Sequence, residues 1–117
     1  MPNPVTNFYD SLSSHYHLIF SNWREAVIHH GEILDKLIRT QINISSTTSL
    51  LDCSCGIGTQ AIGLALRGYR VHASDISSKA VERAQKEAQS LNASVTFSVA
   101  DFRHLDTQVP GTYTIVL

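Results

Sequence analysis

A chain of 117 residues is about one domain, long enough for a modest core and short for a complete α/β enzyme. Nine basic and ten acidic side chains leave a net charge of −1, so no broad field favours nucleic acid or an anionic membrane, and any partner must be recognised locally. The apolar fraction of 43% is that of an ordinary globular protein, and no apolar run is long enough to span a bilayer.

In chain order, the N-terminal MPNPVTNFYDSL lacks a basic stretch followed by an apolar one, so no secretory signal is expected and the cytoplasm is the expected location. From about His17 to Thr40, Phe20, Trp23, Val27, Leu34 and Ile38 recur at three- and four-residue steps. This predicts one long amphipathic helix, or two broken near Gly31. A polar linker, Asn43 to Ser49, precedes SLLDCS, which reads as a short buried strand. GIGTQAIGLALRG then supplies a glycine turn and a helix with Gly68 as its C-terminal cap. Tyr69 to Ser74 is a second strand ending at Asp75, and Ser77 or Ser78 caps a helix to about Leu91. Val95 to Val99 is a third strand followed by Asp101, and TYTIVL a fourth. Strands alternating with helices predict an α/β fold: a Rossmann-like parallel sheet of about four strands, incomplete, preceded by a helical segment. The expected division is 1–44 for that N-terminal helical segment and 45–117 for the ligand-binding domain.

In a parallel sheet, Asp52, Asp75 and Asp101 fall on one rim, beyond the carboxyl ends of the strands, where such folds bind ligands. A single strand-end aspartate is usually a turn residue; three in phase, with a glycine loop between the first two, form a set. Cys53 and Cys55 are too close to staple a fold, and the six histidines form no zinc spacing with them, so no metal is expected and the thiols read as bystanders. Gly56-Ile57-Gly58-Thr59-Gln60-Ala61 fits the dinucleotide fingerprint, with Asp75 near the offset of a ribose-binding acid. Asp52, four residues before Gly56, would however set a carboxylate near the pyrophosphate. S-adenosylmethionine, with a sulfonium, an ammonium and one carboxylate, meets that acid more easily. Asp75 could then accept the ribose hydroxyls, Asp101 the adenine amine, and Phe102 could lie against the purine.

LLDCSCGIGTQA, then GYRVHASDIS and SVADFRHL, resembles the opening motifs of class I S-adenosylmethionine-dependent methyltransferases, most closely those similar to glycine/sarcosine N-methyltransferases. FYDSLSSHYHLIFSNW is similar to the N-terminal lid of those enzymes, so the resemblance covers nearly the whole chain and implies that residues 1–44 are a helical lid segment. It implies S-adenosylmethionine as cofactor, held by Asp52, by Ser54, Gly56 and Gly58 in the place of three family glycines, by Asp75 with the adjoining Ile76, and by Asp101 with Phe102. Tyr16 and Trp23 would close over it, and Arg24 is a candidate for a carboxylate, though a solvent-facing role suits it better. Ser54 departs from the family by carrying a Cβ near the ligand. Thr114 stands where the family usually has an aspartate.

The implied reaction is methyl transfer to a small-molecule acceptor, an amine in the glycine/sarcosine pattern, with the protein positioning the reactants and no catalytic acid or base identified. No nucleic acid or membrane partner is expected. The chain ends inside an apolar strand, which suggests the cofactor-binding half of a larger enzyme and an open sheet edge available for self-association. Two alternatives stand beside this reading: an NAD-type dinucleotide-binding module, and a non-catalytic fragment paired through that edge.

Overall fold

The computed structural model describes residues 22–45, 47–109 and 111–117. Tyr16 therefore lies outside the described residues, as do most of the lid motif and the first part of the predicted N-terminal helix. The elements run α1 (Trp23–Gln41), β1 (Ser49–Asp52), α2 (Thr59–Leu66), β2 (Arg70–Asp75), α3 (Ser78–Ser90) and β3 (Val95–Val99). A 3-10 turn (Phe102–His104), the short α4 (Leu105–Gln108) and β4 (Ile115–Val116) follow.

The four strands form one parallel sheet in the order β3-β2-β1-β4. Leu51 pairs with His72, Val71 with Val95 and Leu50 with Ile115. Parallel pairing needs crossovers, and α2 and α3 provide them. Their buried faces explain the sequence pattern: Ala61, Ile62 and Leu64 on α2, and Ala80, Val81, Ala84 and Ala88 on α3. Ser77 starts α3 by accepting a hydrogen bond from the Ala80 N–H at 3.1 Å. Gly68, at φ +97°, follows α2 in the left-handed region where glycine carries no penalty. The core joins Leu50, Val71 and Ala73 of the sheet to Leu64 of α2 and Ile38 of α1.

The helix α1 passes unbroken through Gly31, so of the two readings the single helix holds over the described residues. Glycine is required for a different reason. A Cβ on Gly31 would come within 2.5 Å of the Gly63 carbonyl oxygen, and one on Gly63 within 2.4 Å of the Val27 carbonyl oxygen. The helices α1 and α2 therefore touch backbone to backbone. The crossing is locked beside the glycines by Asp35, which is 3% exposed. It accepts hydrogen bonds from Arg39 Nε (2.8 Å), Arg67 Nη2 (3.1 Å) and Tyr69 Oη (2.7 Å). Burial opposes the charge of Asp35, yet these donors prevail and hold its carboxyl below the ordinary value.

The fourth strand is shorter than TYTIVL suggested: only Ile115–Val116 pairs with β1. Thr114 nonetheless contributes, since its Oγ1 accepts from the Ser49 N–H at 3.2 Å and its own N–H donates to Ser49 Oγ at 3.2 Å. No helix among the described residues is long and apolar enough to cross a membrane.

Candidate cofactor site

The end of β1, the loop from Cys53 to Gly58 and the end of β2 form one hydrogen-bonded unit. The Asp75 Oδ2 accepts from the Gly56 N–H at 2.9 Å and Oδ1 from the Ser77 N–H at 2.9 Å. One carboxylate thus ties the glycine loop to the cap of α3. The Cys55 N–H donates to the Ser74 carbonyl at 2.9 Å, and the Gly58 N–H to the Cys55 carbonyl at 2.9 Å, which closes the turn. Gly56 and Gly58 adopt φ of +55° and +91°, a region other residues rarely occupy. At Gly58 space is also short, since a Cβ would stand 3.0 Å from Ile62 Cδ1 and 3.2 Å from Ala84 Cβ.

Ser54 is exposed and is not among the residues with positive φ, so its Cβ fits the loop without backbone strain. The serine in place of a family glycine is compatible with this turn. Ile76 is partly buried between Asp75 and Ser77.

Asp52 lies beneath the loop, 4% exposed. Among the described residues its one hydrogen bond is long, from the Ser54 N–H to Oδ1 at 3.3 Å. Burial pushes its carboxyl up to about 6, the Ser54 amide offsets this in part, and the neighbouring Asp75 charge adds to the rise. A buried, under-satisfied carboxylate beside a second carboxylate is a place where a positive group is stabilised. Cys55 is buried as well, and burial followed by the two aspartates pushes its thiol up, so it stays protonated and is a poor metal ligand. Cys53 donates from Sγ to the Leu117 carbonyl at 2.9 Å, a packing role at the β1–β4 edge. Among the described residues no three His, Cys, Asp or Glu side chains come together as a metal site.

Asp101 stands on the same rim but is differently engaged. It caps the 3-10 turn by accepting from the Arg103 N–H at 2.9 Å, and the Arg103 guanidinium reaches Oδ2 at 2.6 Å through Nη2 and Oδ1 at 3.0 Å through Nε. These contacts hold its carboxyl down at about 2. An adenine amine would have to share oxygens that already accept several donors. Phe102 next to it is 63% exposed, a free ring at the rim. Trp23 packs on Val27, Ile62 and Ala88, and its Nε1 donates to Thr59 Oγ1 at 3.1 Å. Its packing and its placement beside the loop thus coexist. Arg24 is exposed.

Two features of the site were not anticipated. His30 of α1 faces the loop, on a cavity of about 280 Å³ that it lines with Ser54, Gly56, Thr59 and Gln60. The sequence signal was weak, since one of two adjacent histidines on a helix marks nothing by itself. The second is Asp75 as a loop anchor: the offset from the glycines suggested a ligand role and concealed the backbone contacts.

The family model described as "Methyltransferase domain" matches residues 50–117. The chain is 33% identical over 93 residues to the magnesium-protoporphyrin O-methyltransferase of Synechocystis sp. (strain ATCC 27184 / PCC 6803 / Kazusa), a match covering 75% of this chain and 39% of that protein. The chain thus spans about two fifths of the length of that curated relative. Among solved structures, magnesium protoporphyrin IX methyltransferase from Synechocystis PCC 6803 with bound SAM aligns with a TM-score of 0.57 at 29% identity, over 74% of this chain and 42% of that one. The Pyrococcus abyssi tRNA (uracil-54, C5)-methyltransferase in complex with S-adenosyl-L-homocysteine aligns with a TM-score of 0.57 at 28% identity, over 74% of this chain and 21% of that one. These relatives carry the methyltransferase likeness and not the narrower likeness to glycine/sarcosine N-methyltransferases.

Proposed function

This chain belongs to the methyltransferase-domain family, and from that premise we propose that it forms the cofactor-binding part of an S-adenosylmethionine-dependent methyltransferase acting on a small molecule. The observation that carries the reading is the pair of buried acids around the glycine loop, Asp75 fixing the Gly56 amide and Asp52 with a single long hydrogen bond among the described residues. The cofactor fits this donor and acceptor set. When bound it supplies a methyl group activated by the sulfonium. The chain's own residues bind and orient. Asp52 offers its under-satisfied carboxylate to the ammonium and sulfonium end. Among the described residues each Asp75 oxygen accepts one backbone N–H, which leaves capacity for the two ribose hydroxyls. Phe102 offers a ring to the purine, and Asp101, already paired with Arg103, shapes that end of the rim. Fixing these positions before the acceptor arrives is how such a site lowers the barrier.

A dinucleotide is the competing ligand. With its carboxyl at about 6, Asp52 is mostly ionised at neutral pH and repels a diphosphate over the same loop. Isothermal titration decides between them: S-adenosylmethionine or S-adenosylhomocysteine is expected to bind and NAD is not, and binding of NAD alone by the folded chain would reverse the assignment.

For the acceptor we infer a small amine, a reading supported by the similarity of the N-terminal motif to amine methyltransferases. The named acceptors of the relatives, a magnesium protoporphyrin and a tRNA uracil, differ from it and from each other. A labelled-methyl assay against amines, carboxylates and tRNA tests this, and transfer to a carboxylate or tRNA with none to amines would refute it.

A further inference from the structure

We propose that a groove across the N-terminal ends of the strands binds a small phosphorylated sugar, its phosphate held by Arg70 with the hydroxyls of Ser49 and Thr114. Leu50, Val71, Val95 and Ile115 pair in register across the four strands, and all pack on the helix side of the sheet. Side chains alternate along a strand, so the residues immediately before them, Thr114, Ser49, Arg70 and Ser94, form one row on the opposite face. All four line a cavity of about 810 Å³, a volume that suits a small molecule. Ser49 and Arg70 begin β1 and β2, whereas Asp52 and Asp75 end them at the glycine loop. The groove and the cofactor rim therefore lie at opposite ends of the same strands.

The row is rich in unused donors. Ser49 Oγ accepts from the Thr114 N–H and Thr114 Oγ1 from the Ser49 N–H, each at 3.2 Å. These bonds use both oxygens as acceptors, and neither O–H has an acceptor among the described residues, so each can donate to a ligand. Arg70 stands between Ser49 and Ser94, exposed, and among the described residues its side chain makes no hydrogen bond or ion pair. No Asp or Glu lines the cavity. His72, in the next row, makes no demand on the ligand: its ring nitrogens meet Thr96 Oγ1 at 2.7 Å and Ser98 Oγ at 2.8 Å. A guanidinium fork with two hydroxyl donors beside it matches the three terminal oxygens of a phosphate monoester, where a carboxylate has only two. The cavity is much larger than a phosphate alone requires. Thr47 and Thr112 add hydroxyls to its wall, and the rings of His72 and Tyr113, 6.2 Å apart between centroids, add a surface for the C–H face of a sugar. A nucleic-acid backbone is a poorer match, since its binding neutralises several phosphates and Arg70 is the one Lys or Arg lining the cavity.

The test is a titration of the whole chain with ribose 5-phosphate, followed by backbone amide NMR, with ribose and ribonate as the neutral and carboxylate counterparts. Ribose 5-phosphate is expected to shift the amides of Ser49, Arg70 and Thr114 and to bind more tightly than either counterpart. Arg70→Ala is expected to weaken it about tenfold or more, the size of one charge-assisted contact, and Arg70→Lys, which keeps the charge and loses the fork, to recover part of the loss. Lys36→Ala, an exposed cation of α1 that does not line the cavity, is expected to change nothing. Saturating S-adenosylhomocysteine is expected to leave the titration intact. Shifts centred on Gly56 and Gly58, or displacement by S-adenosylhomocysteine, would place the phosphate at the glycine loop and overturn the proposal. Equal affinity for ribonate, an Arg70→Ala variant that binds as well as wild type, or no binding by the folded wild-type chain would overturn it too. Thermal melting shows that each variant is folded, and the Lys variant carries the comparison if the Ala variant is not.

Discussion

Asp52 is held where its charge is disfavoured, and that places a measurable signature on stability. Its carboxyl titrates near 6 in the folded chain against an ordinary value of 3.8, chiefly because it is buried. The native state therefore binds this proton more tightly than the unfolded state does. Below about pH 4 both states hold the proton and the residue carries no penalty; between about pH 4 and 6 the native state loses ground, by up to about 3 kcal/mol in all, and above that the penalty is constant. Chemical denaturation of the ligand-free chain across this window is expected to show that fall, and Asp52→Asn is expected to flatten it. Asp35 works in the opposite sense. Its carboxyl is held below the ordinary value, so it contributes stability above the usual carboxylate range that is lost as the pH falls through its folded value. Asp35→Ala leaves the Tyr69 hydroxyl and two guanidiniums without their acceptor and is expected to cost about 2 kcal/mol, less than a fully buried pair because both arginines reach solvent.

Among the elements, the crossing of α1 and α2 is the least forgiving. A methyl group at position 63 would overlap the Val27 carbonyl, and backbone cannot move aside as a side chain can. Gly63→Ala is expected to destabilise the chain by about 2 kcal/mol in urea unfolding, whereas Gly68→Ala, with nothing within 4 Å, meets only the strain of its positive φ, about 1 kcal/mol. These contacts mark the limit of what the sequence disclosed. Apolar periodicity located β2, β3, α2 and α3 nearly to the residue, because each buries one face in a simple pattern. The role of Gly31 was hidden, since a glycine within a helix looks like a break unless its partner across the crossing is known. Asp35 was equally silent: an acid beside an apolar stripe reads as solvated until Arg67 and Tyr69 arrive from another part of the chain. The 3-10 turn and α4 are too short to show a period at all.

Over the whole molecule, the four parallel strands bring the ends of β1, β2 and β3 to one rim, and order along the chain becomes order around the loop. That much followed from the alternation of strands and helices. The cavity that His30 lines against the loop did not, because it depends on α1 packing beside a loop distant in sequence. At the far side of the sheet β4 pairs, among the described residues, only with β1, and Val116 is 59% exposed. We propose self-association of this chain through that edge, since an exposed apolar strand invites pairing; size-exclusion chromatography is expected to show a dimer that Val116→Lys disperses, and a wild-type monomer at all concentrations would refute it. The central proposal, though, concerns Asp52: we propose that this destabilising acid serves to bind a cationic cofactor. Asp52→Asn, measured for both melting temperature and affinity for S-adenosylmethionine at neutral pH, tests this most directly. The account expects the ligand-free variant to melt higher and to bind the cofactor at least tenfold more weakly. A variant that melts higher and binds equally well would contradict it.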